Sequence, residues 1–199
     1  MRVTELFGAL QKAHIEGIKN LHPAYRSLLV VYDAKMWTAQ RLIEKLEGAE
    51  ESPSPFLPVA GLLRLPVCFA PGFAPDLPQV CATAGIEPEQ AIQLLTAATY
   101  RVAFLGFAPG FPYLMGLSPE LATPRHARPR THIPAGSVGI AGAQTGIYPA
   151  ATPGGWQIVG RTPVRLFSPE REPMSLLNTG DELHLFSIDE TEFEAMSQW

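Results

Sequence analysis

Apolar residues near the start of the chain recur at steps of three and four: Val3, Leu6, Phe7, Leu10, Ala13, His14, Ile18 and Leu21. That period places them on one face of an amphipathic helix. His14 is then a residue of that face, since no second ligand sits one turn away. Past Pro23, Leu28 to Tyr32 is a compact apolar and aromatic run that reads as a buried strand. Thr38 suits an N-cap, Leu42, Ile43 and Leu46 form the inner face of a second helix, and Gly48 stops it. The order helix, strand, helix calls for a sheet with more strands than this stretch shows. Residues 48–61, "GAEESPSPFLPVAG", are rich in proline and small side chains and mark a linker. We therefore expect an N-terminal unit over residues 1–60 and a second unit over residues 61–199.

In the second unit the period shortens. Arg64 to Phe69 reads as a strand, Asp76 to Ala84 as a helix closed by Gly85, and Pro88 to Ala98 as another helix with proline in its first turn. Tyr100 to Leu105 is a strand. Beyond it, Ser137 to Ala141, Trp156 to Val159, Val164 to Phe167 and Glu182 to Ile188 alternate with glycine- and proline-rich turns. Many short strands at such spacing predict a closed or nearly closed β-barrel, giving an α+β chain. "LNTGDEL" is a tight turn feeding the last strand, which makes Asp181 a turn residue.

Composition narrows the function classes. The 199 residues are 46% hydrophobic and 17% charged, with a formal net charge of −4, which argues against general affinity for nucleic acid or anionic membrane. Cys68 and Cys81 lack the spacing of a zinc site or a disulfide framework and read as small buried residues. With no signal segment and no apolar run long enough to span a membrane, a reducing cytoplasm is the default compartment.

The charge is unevenly placed. From Leu121 to Pro169 there is no aspartate or glutamate, yet the span carries Arg125, Arg128, Arg130, Arg161 and Arg165 with His126 and His132. Arginine without lysine suits forked recognition of carboxylate or phosphate, although any of these arginines could instead pair with an acid elsewhere in the fold. Gly136, Gly139, Gly142 and Gly146 follow at steps of three, three and four, matching neither the dinucleotide fingerprint nor the P-loop. They suit barrel bulges and turns, or a backbone that a ligand approaches closely and that offers it N–H groups. His126 and His132, six residues apart with no carboxylate nearby, do not form a metal site. Ser137 has no local triad partner. The stretch resembles half of an active site, its acids to be supplied from elsewhere.

Three segments carry a family resemblance: "FLGFAPGFPYLMGL" (Phe104 to Leu117), "ATPRHARPRTHIPAGSVGIAGAQTGIYP" (Ala122 to Pro149) and "TPGGWQIVGRTP" (Thr152 to Pro163). They are similar to the family of the bacterial 5-oxoprolinase B subunit, also known as KipI and as allophanate hydrolase subunit 1, a carboxyltransferase C/D-type domain. "AYRSLLVVYD" and "LPVCF" extend the resemblance over nearly the whole chain. It implies a small α/β N-terminal domain before a cyclophilin-like β-barrel, without prolyl isomerase activity. It also implies sister subunits, C (KipA-like) and A, with which the family converts 5-oxo-L-proline to L-glutamate using ATP. The magnesium ligands would come from a sister subunit, and this chain alone would be inactive. Other members imply other roles: inhibition of a sensor histidine kinase, or the small half of a biotin-dependent carboxyltransferase in the urea carboxylase pathway. The chain departs from the family pattern twice. It opens almost directly at the first helix, where relatives place a strand and loop. It also reads "FAPGFAPDL" (Phe69 to Leu77) where many relatives carry a Gly-Gly-Glu-like turn, so the usual carboxylate is missing there.

On that basis Arg125 and Arg130 are expected to hold a substrate carboxylate or phosphate, with Arg161 a further ligand-binding candidate. Gly136, Ser137, Gly139 and Gly142 would shape the pocket wall, and Gln144, Thr145 and Tyr148 would orient polar atoms of the ligand. Phe107, Pro109, Gly110, Phe111 and Tyr113 form an aromatic turn expected to cap the pocket or meet a partner. Trp156 is expected in the barrel core or at an interface.

Overall fold

The computed structural model describes residues 2–50 and 62–197. Residues 51–61, most of the expected linker, lie outside the described residues. The chain divides into two compact units, Met1–Val59 and Ala60–Trp199.

The first unit runs α1 (Arg2–Ala13), β1 (Ile18–Pro23), β2 (Leu28–Tyr32) and α2 (Ala39–Glu50). Phe7 and Leu10 of α1 and Leu42 of α2 are buried. The apolar spacing predicts a first helix reaching Leu21, but α1 ends at Ala13, His14 turns with φ of +42°, and Ile18 and Leu21 belong to β1. The strand register slips between Ile18 and Asn20. One extra residue at such a bulge puts Ile18 and Leu21 on the same face, imitating a helical step. Strand β2 is not fully buried as expected: Leu29 is 62% and Val31 39% exposed, because among the described residues β1 and β2 form a two-stranded sheet. At the start of α2, the Arg41 amide donates to Thr38 Oγ1 at 3.4 Å. The helix passes Gly48 and runs to Glu50.

The second unit is built on a closed barrel. Its elements are β3 (Leu63–Cys68), α3 (Leu77–Ala84), α4 (Pro88–Ala97), β4 (Tyr100–Leu105), β5 (Pro112–Met115), β6 (Arg130–Ile133), β7 (Ser137–Ala141), β8 (Gln144–Ile147), β9 (Thr152–Gly154), β10 (Gln157–Arg161), β11 (Glu182–Ile188) and α5 (Glu190–Met196). The barrel order is β10-β3-β11-β4-β5-β8-β7. β3 and β11 pair in parallel, Leu65 opposite Leu185, and the other neighbours pair antiparallel. Closure leaves no unpaired edge. Val67, Val102, Ile140, Val159 and Leu183 fill the interior with no exposed surface, each such side chain contributing about 1.5–3 kcal/mol. Helix α3 packs on β10 and α4 on β11. Gly85 ends α3 with φ of +70°, the left-handed cap in which glycine carries no steric penalty.

The apolar run Val164–Phe167, expected as a strand, is not one. Prolines bracket it at 163 and 169, and it folds back on its own loop, the Leu176 amide donating to Leu166 O at 2.8 Å. Outside the barrel β6 and β9 form a separate small sheet, pairing Arg130 with Gly154 and Ile133 with Thr152. This sheet and the β4–β5 turn position the site.

Candidate functional site

The sheet of β6 and β9, the turn before β5 and the end of β8 enclose a cavity of about 470 Å³. One wall is aromatic. Phe111 sits at its centre, nearly perpendicular to Tyr148 (ring centroids 5.2 Å apart) and to Trp156 (5.6 Å), and 5.0 Å from Tyr113. Tyr113 in turn stacks on Phe104 at 4.5 Å, and Phe107 stands edge-on to Phe111 at 5.4 Å. Such edge-to-face pairs lock ring orientations beyond what area burial does. The opposite wall is Arg125, His126 and Ala127, with Pro129, Pro153, Gly154 and Gly155.

Two glycines make the aromatic wall possible. A Cβ on Gly139 would lie 3.1 Å from Trp156 Cβ, and one on Gly154 would lie 2.6 Å from the Tyr148 hydroxyl oxygen. These residues serve side-chain packing under and beside the cavity. The N–H groups expected to cradle a ligand are engaged within the fold: Gly136 N donates to Tyr148 O at 2.7 Å and Gly142 N to Thr123 O at 2.7 Å, while Gly139 pairs in the barrel ladder with Gly146 and Ile158. Ser137 and Thr145 are buried at 1% exposure each. Thr145 Oγ1 donates to Gly139 O at 2.8 Å, and neither residue lines the cavity. Gln144, half-buried, pairs with Ala141 at the β7–β8 turn, away from the cavity.

The arginines separate into different roles. Arg130 pairs with Asp76, its Nη2 donating to Oδ1, and its Nη1 reaches Trp156 O at 3.5 Å. Arg161 donates from Nε to Ala135 O at 2.7 Å and lies over the Phe193 ring at 5.5 Å. Burial lowers its pKa from the ordinary arginine value. Both arginines fasten a strand to a neighbouring loop or helix. Arg125, by contrast, lines the cavity and has no hydrogen-bond or ion-pair partner among the described residues. Of the expected cap, Phe107, Phe111 and Tyr113 line the cavity, whereas Pro109 and Gly110 do not. Gly110 is a packing residue, since a Cβ there would lie 2.7 Å from Phe167 Cβ.

Asp76 is the residue that sequence reasoning misses. It occupies the N-cap position of α3 but does not cap the helix. Its carboxylate turns across to the arginine-rich segment, accepting from Arg130 and, through Oδ2, from the Ile158 amide at 2.6 Å. His126 Nε2, itself buried, lies 3.4 Å from the same oxygen without a well-directed hydrogen bond. Asp76 is 6% exposed. Burial raises its pKa, but Arg130, the Ile158 amide and His126 together outweigh burial and hold it below the ordinary carboxylate value. The span without acids therefore meets an acid of its own chain, from the Phe69–Leu77 stretch. Only the fold shows this, because Asp76 and Arg130 stand 54 residues apart.

Chemically, the cavity offers flat apolar rings, one open guanidinium and neutral phenols. Burial pushes the Tyr148 hydroxyl up to about 12 and raises Tyr113 as well, so both stay protonated at neutral pH, with Tyr148 already bonded to the Trp156 backbone. Among the described residues no serine or cysteine lines the cavity, and Cys68 and Cys81 are buried elsewhere. Among the described residues no group of three His, Cys, Asp or Glu could hold a metal ion. The arrangement can bind and orient a small acid.

The family model described as the carboxyltransferase domain, subdomain C and D, matches residues 1–177. The chain is 40% identical over 194 residues to the 5-oxoprolinase B subunit of Bacillus subtilis strain 168, an alignment covering 88% of this chain and 78% of that protein. It is 42% identical over 161 residues to the protein of the same name from Escherichia coli O157:H7, covering 81% and 74%. Among solved structures, that of TTHA0988 superposes with a TM-score of 0.82 at 36% identity, over 94% of this chain but 37% of that one.

Proposed function

The chain belongs to the carboxyltransferase-domain family of subdomains C and D, and from that premise we propose that it is the B subunit of an ATP-dependent 5-oxoprolinase, working with the A and C subunits to open 5-oxo-L-proline to L-glutamate. The observation that carries this reading is the 40% identity to a 5-oxoprolinase B subunit across 88% of the chain. The cavity supports it, because 5-oxoproline is a small lactam ring with a planar amide and one carboxylate. The carboxylate pairs with Arg125, and the ring lies against the wall of Phe111, Tyr113, Tyr148 and Trp156.

A lactam resists water because amide resonance withdraws electrophilicity from its carbonyl carbon, and phosphorylation of the carbonyl oxygen by a nucleoside triphosphate removes that protection. Among the described residues the donors and acids that would hold the triphosphate and its magnesium are already engaged. The Gly136 and Gly142 amides bond within the fold, both Asp76 oxygens are occupied, and the described residues hold no metal-ligand cluster. We assign nucleotide and metal to the sister subunits, and to this chain the holding of substrate in one orientation. The Asp76–Arg130 pair fixes the sheet that carries the cavity wall.

Reconstitution tests the reading. The A and C subunits with this chain release glutamate from 5-oxoproline and ATP, and each component alone is inert. Full turnover by the A and C subunits without this chain would end the proposal.

A further inference from the structure

Phe107 is the part of the cavity that substrate holding by Arg125 leaves unexplained. The Ala108 amide donates to Gly106 O at 2.8 Å, a bond from one residue to the next but one, which makes Phe107 the centre of a γ-turn. Its φ is +68°. That hand of γ-turn is rare and strained, and a bulky side chain there is an outlier. Burial does not account for the strain, because Phe107 is 64% exposed. The loop closes through other bonds: Gly106 N donates to Phe111 O at 3.1 Å and Phe111 N to Ala108 O at 3.0 Å. What the strained turn achieves is placement. The ring stands at the cavity mouth, edge-on to Phe111 at 5.4 Å and to Tyr148 at 6.4 Å.

We infer that Phe107 is the specificity-determining residue of this cavity, a ring held in a strained turn so that it covers the lactam face of a small cyclic acid bound against Arg125. This rests on the proposed function and deepens it. Substrate and product of ring opening share a carboxylate that Arg125 can hold, but only the substrate has a compact ring with a planar lactam amide. Phe107 therefore favours the closed ring over the open chain, keeping substrate and letting product leave. One aromatic face contributes up to about tenfold in affinity.

The test uses the assembled complex with Phe107→Gly and Phe107→Leu. Glycine relieves the turn, so the thermal midpoint of this chain stays level or rises by roughly 2–4 °C. Leucine keeps apolar bulk but has no flat face. In both variants KM for 5-oxoproline rises about tenfold at a kcat within about twofold of the parent, and inhibition by L-glutamate is unchanged. A parental KM in Phe107→Leu would overturn the inference. So would a drop in the midpoint of Phe107→Gly with KM unaltered, which marks a folding role, or loss of co-purification with the sister subunits, which marks a docking residue. A parent complex that does not consume 5-oxoproline would instead remove the functional reading, and this inference with it.

Discussion

Replacing Asp76 with alanine removes the acceptor of two hydrogen bonds that join α3 to β6 and β10. Arg130 loses a charged partner, and a hydrogen bond to a charged group contributes about 1.5–3 kcal/mol. The Ile158 amide, in a residue 3% exposed, loses its acceptor at 2.6 Å, and an orphaned buried donor costs about 1–3 kcal/mol. The Arg130 side chain is 34% exposed, so water recovers part of its loss. The sum then falls near the roughly 3–5 kcal/mol found when one partner of a buried pair is removed. For a chain of this size that lowers the thermal midpoint by roughly 10 °C. Urea denaturation followed by circular dichroism measures it. The sign of the pH dependence follows from the lowered Asp76 pKa: the contribution is complete above the unfolded aspartate value, about 3.9, and fades as pH falls through the lower folded value. The gap between parent and variant is therefore constant near neutrality and narrows below about pH 4. A variant within about 0.5 kcal/mol of the parent at pH 7, the range of an ordinary surface change, would refute the reasoning.

Two further outcomes follow from the packing. Gly154→Ala places a Cβ 2.6 Å from the Tyr148 oxygen and 2.7 Å from Ile133 Cδ1, so overpacking costs about 1–3 kcal/mol and near-ultraviolet dichroism of the aromatic wall changes; an unaltered spectrum and stability would contradict the placement. Asp189→Ala breaks a reciprocal capping box, in which the Glu192 amide donates to Asp189 at 2.7 Å and the Asp189 amide to Glu192 at 2.9 Å. It should cost about 0.5–2 kcal/mol in chemical denaturation without changing KM.

Strands legible in the sequence have apolar runs or alternation, as in Tyr100–Leu105, Ser137–Ala141 and Glu182–Ile188 of the barrel and Leu28–Tyr32 outside it. β5 and β8 escape because they are four residues each and sit among the glycines and prolines that otherwise mark turns. Val164–Phe167 misleads in the opposite way, since an apolar run buries equally well as coil. Helix α5 carries its signal openly in Asp189 and Glu192, the capping-box spacing. Of the residues the sequence singles out, Arg125, Tyr148, Phe107, Phe111 and Tyr113 line the cavity. Arg130 and Arg161 look equivalent to Arg125 until the fold supplies Asp76 and Ala135 as their partners. A linear pattern shows which residues can bind an anion and not which are already engaged.

Two arginines of the segment, Arg125 and Arg128, have no partner among the described residues, but only Arg125 lines the cavity. Steady-state turnover of 5-oxoproline by the complex carrying Arg125→Ala or Arg128→Ala thus separates a contact from a general field. We predict KM raised roughly 10- to 100-fold for Arg125→Ala and unchanged for Arg128→Ala. Equal effects of the two, or none from Arg125→Ala, would contradict the claim that this chain holds the substrate carboxylate.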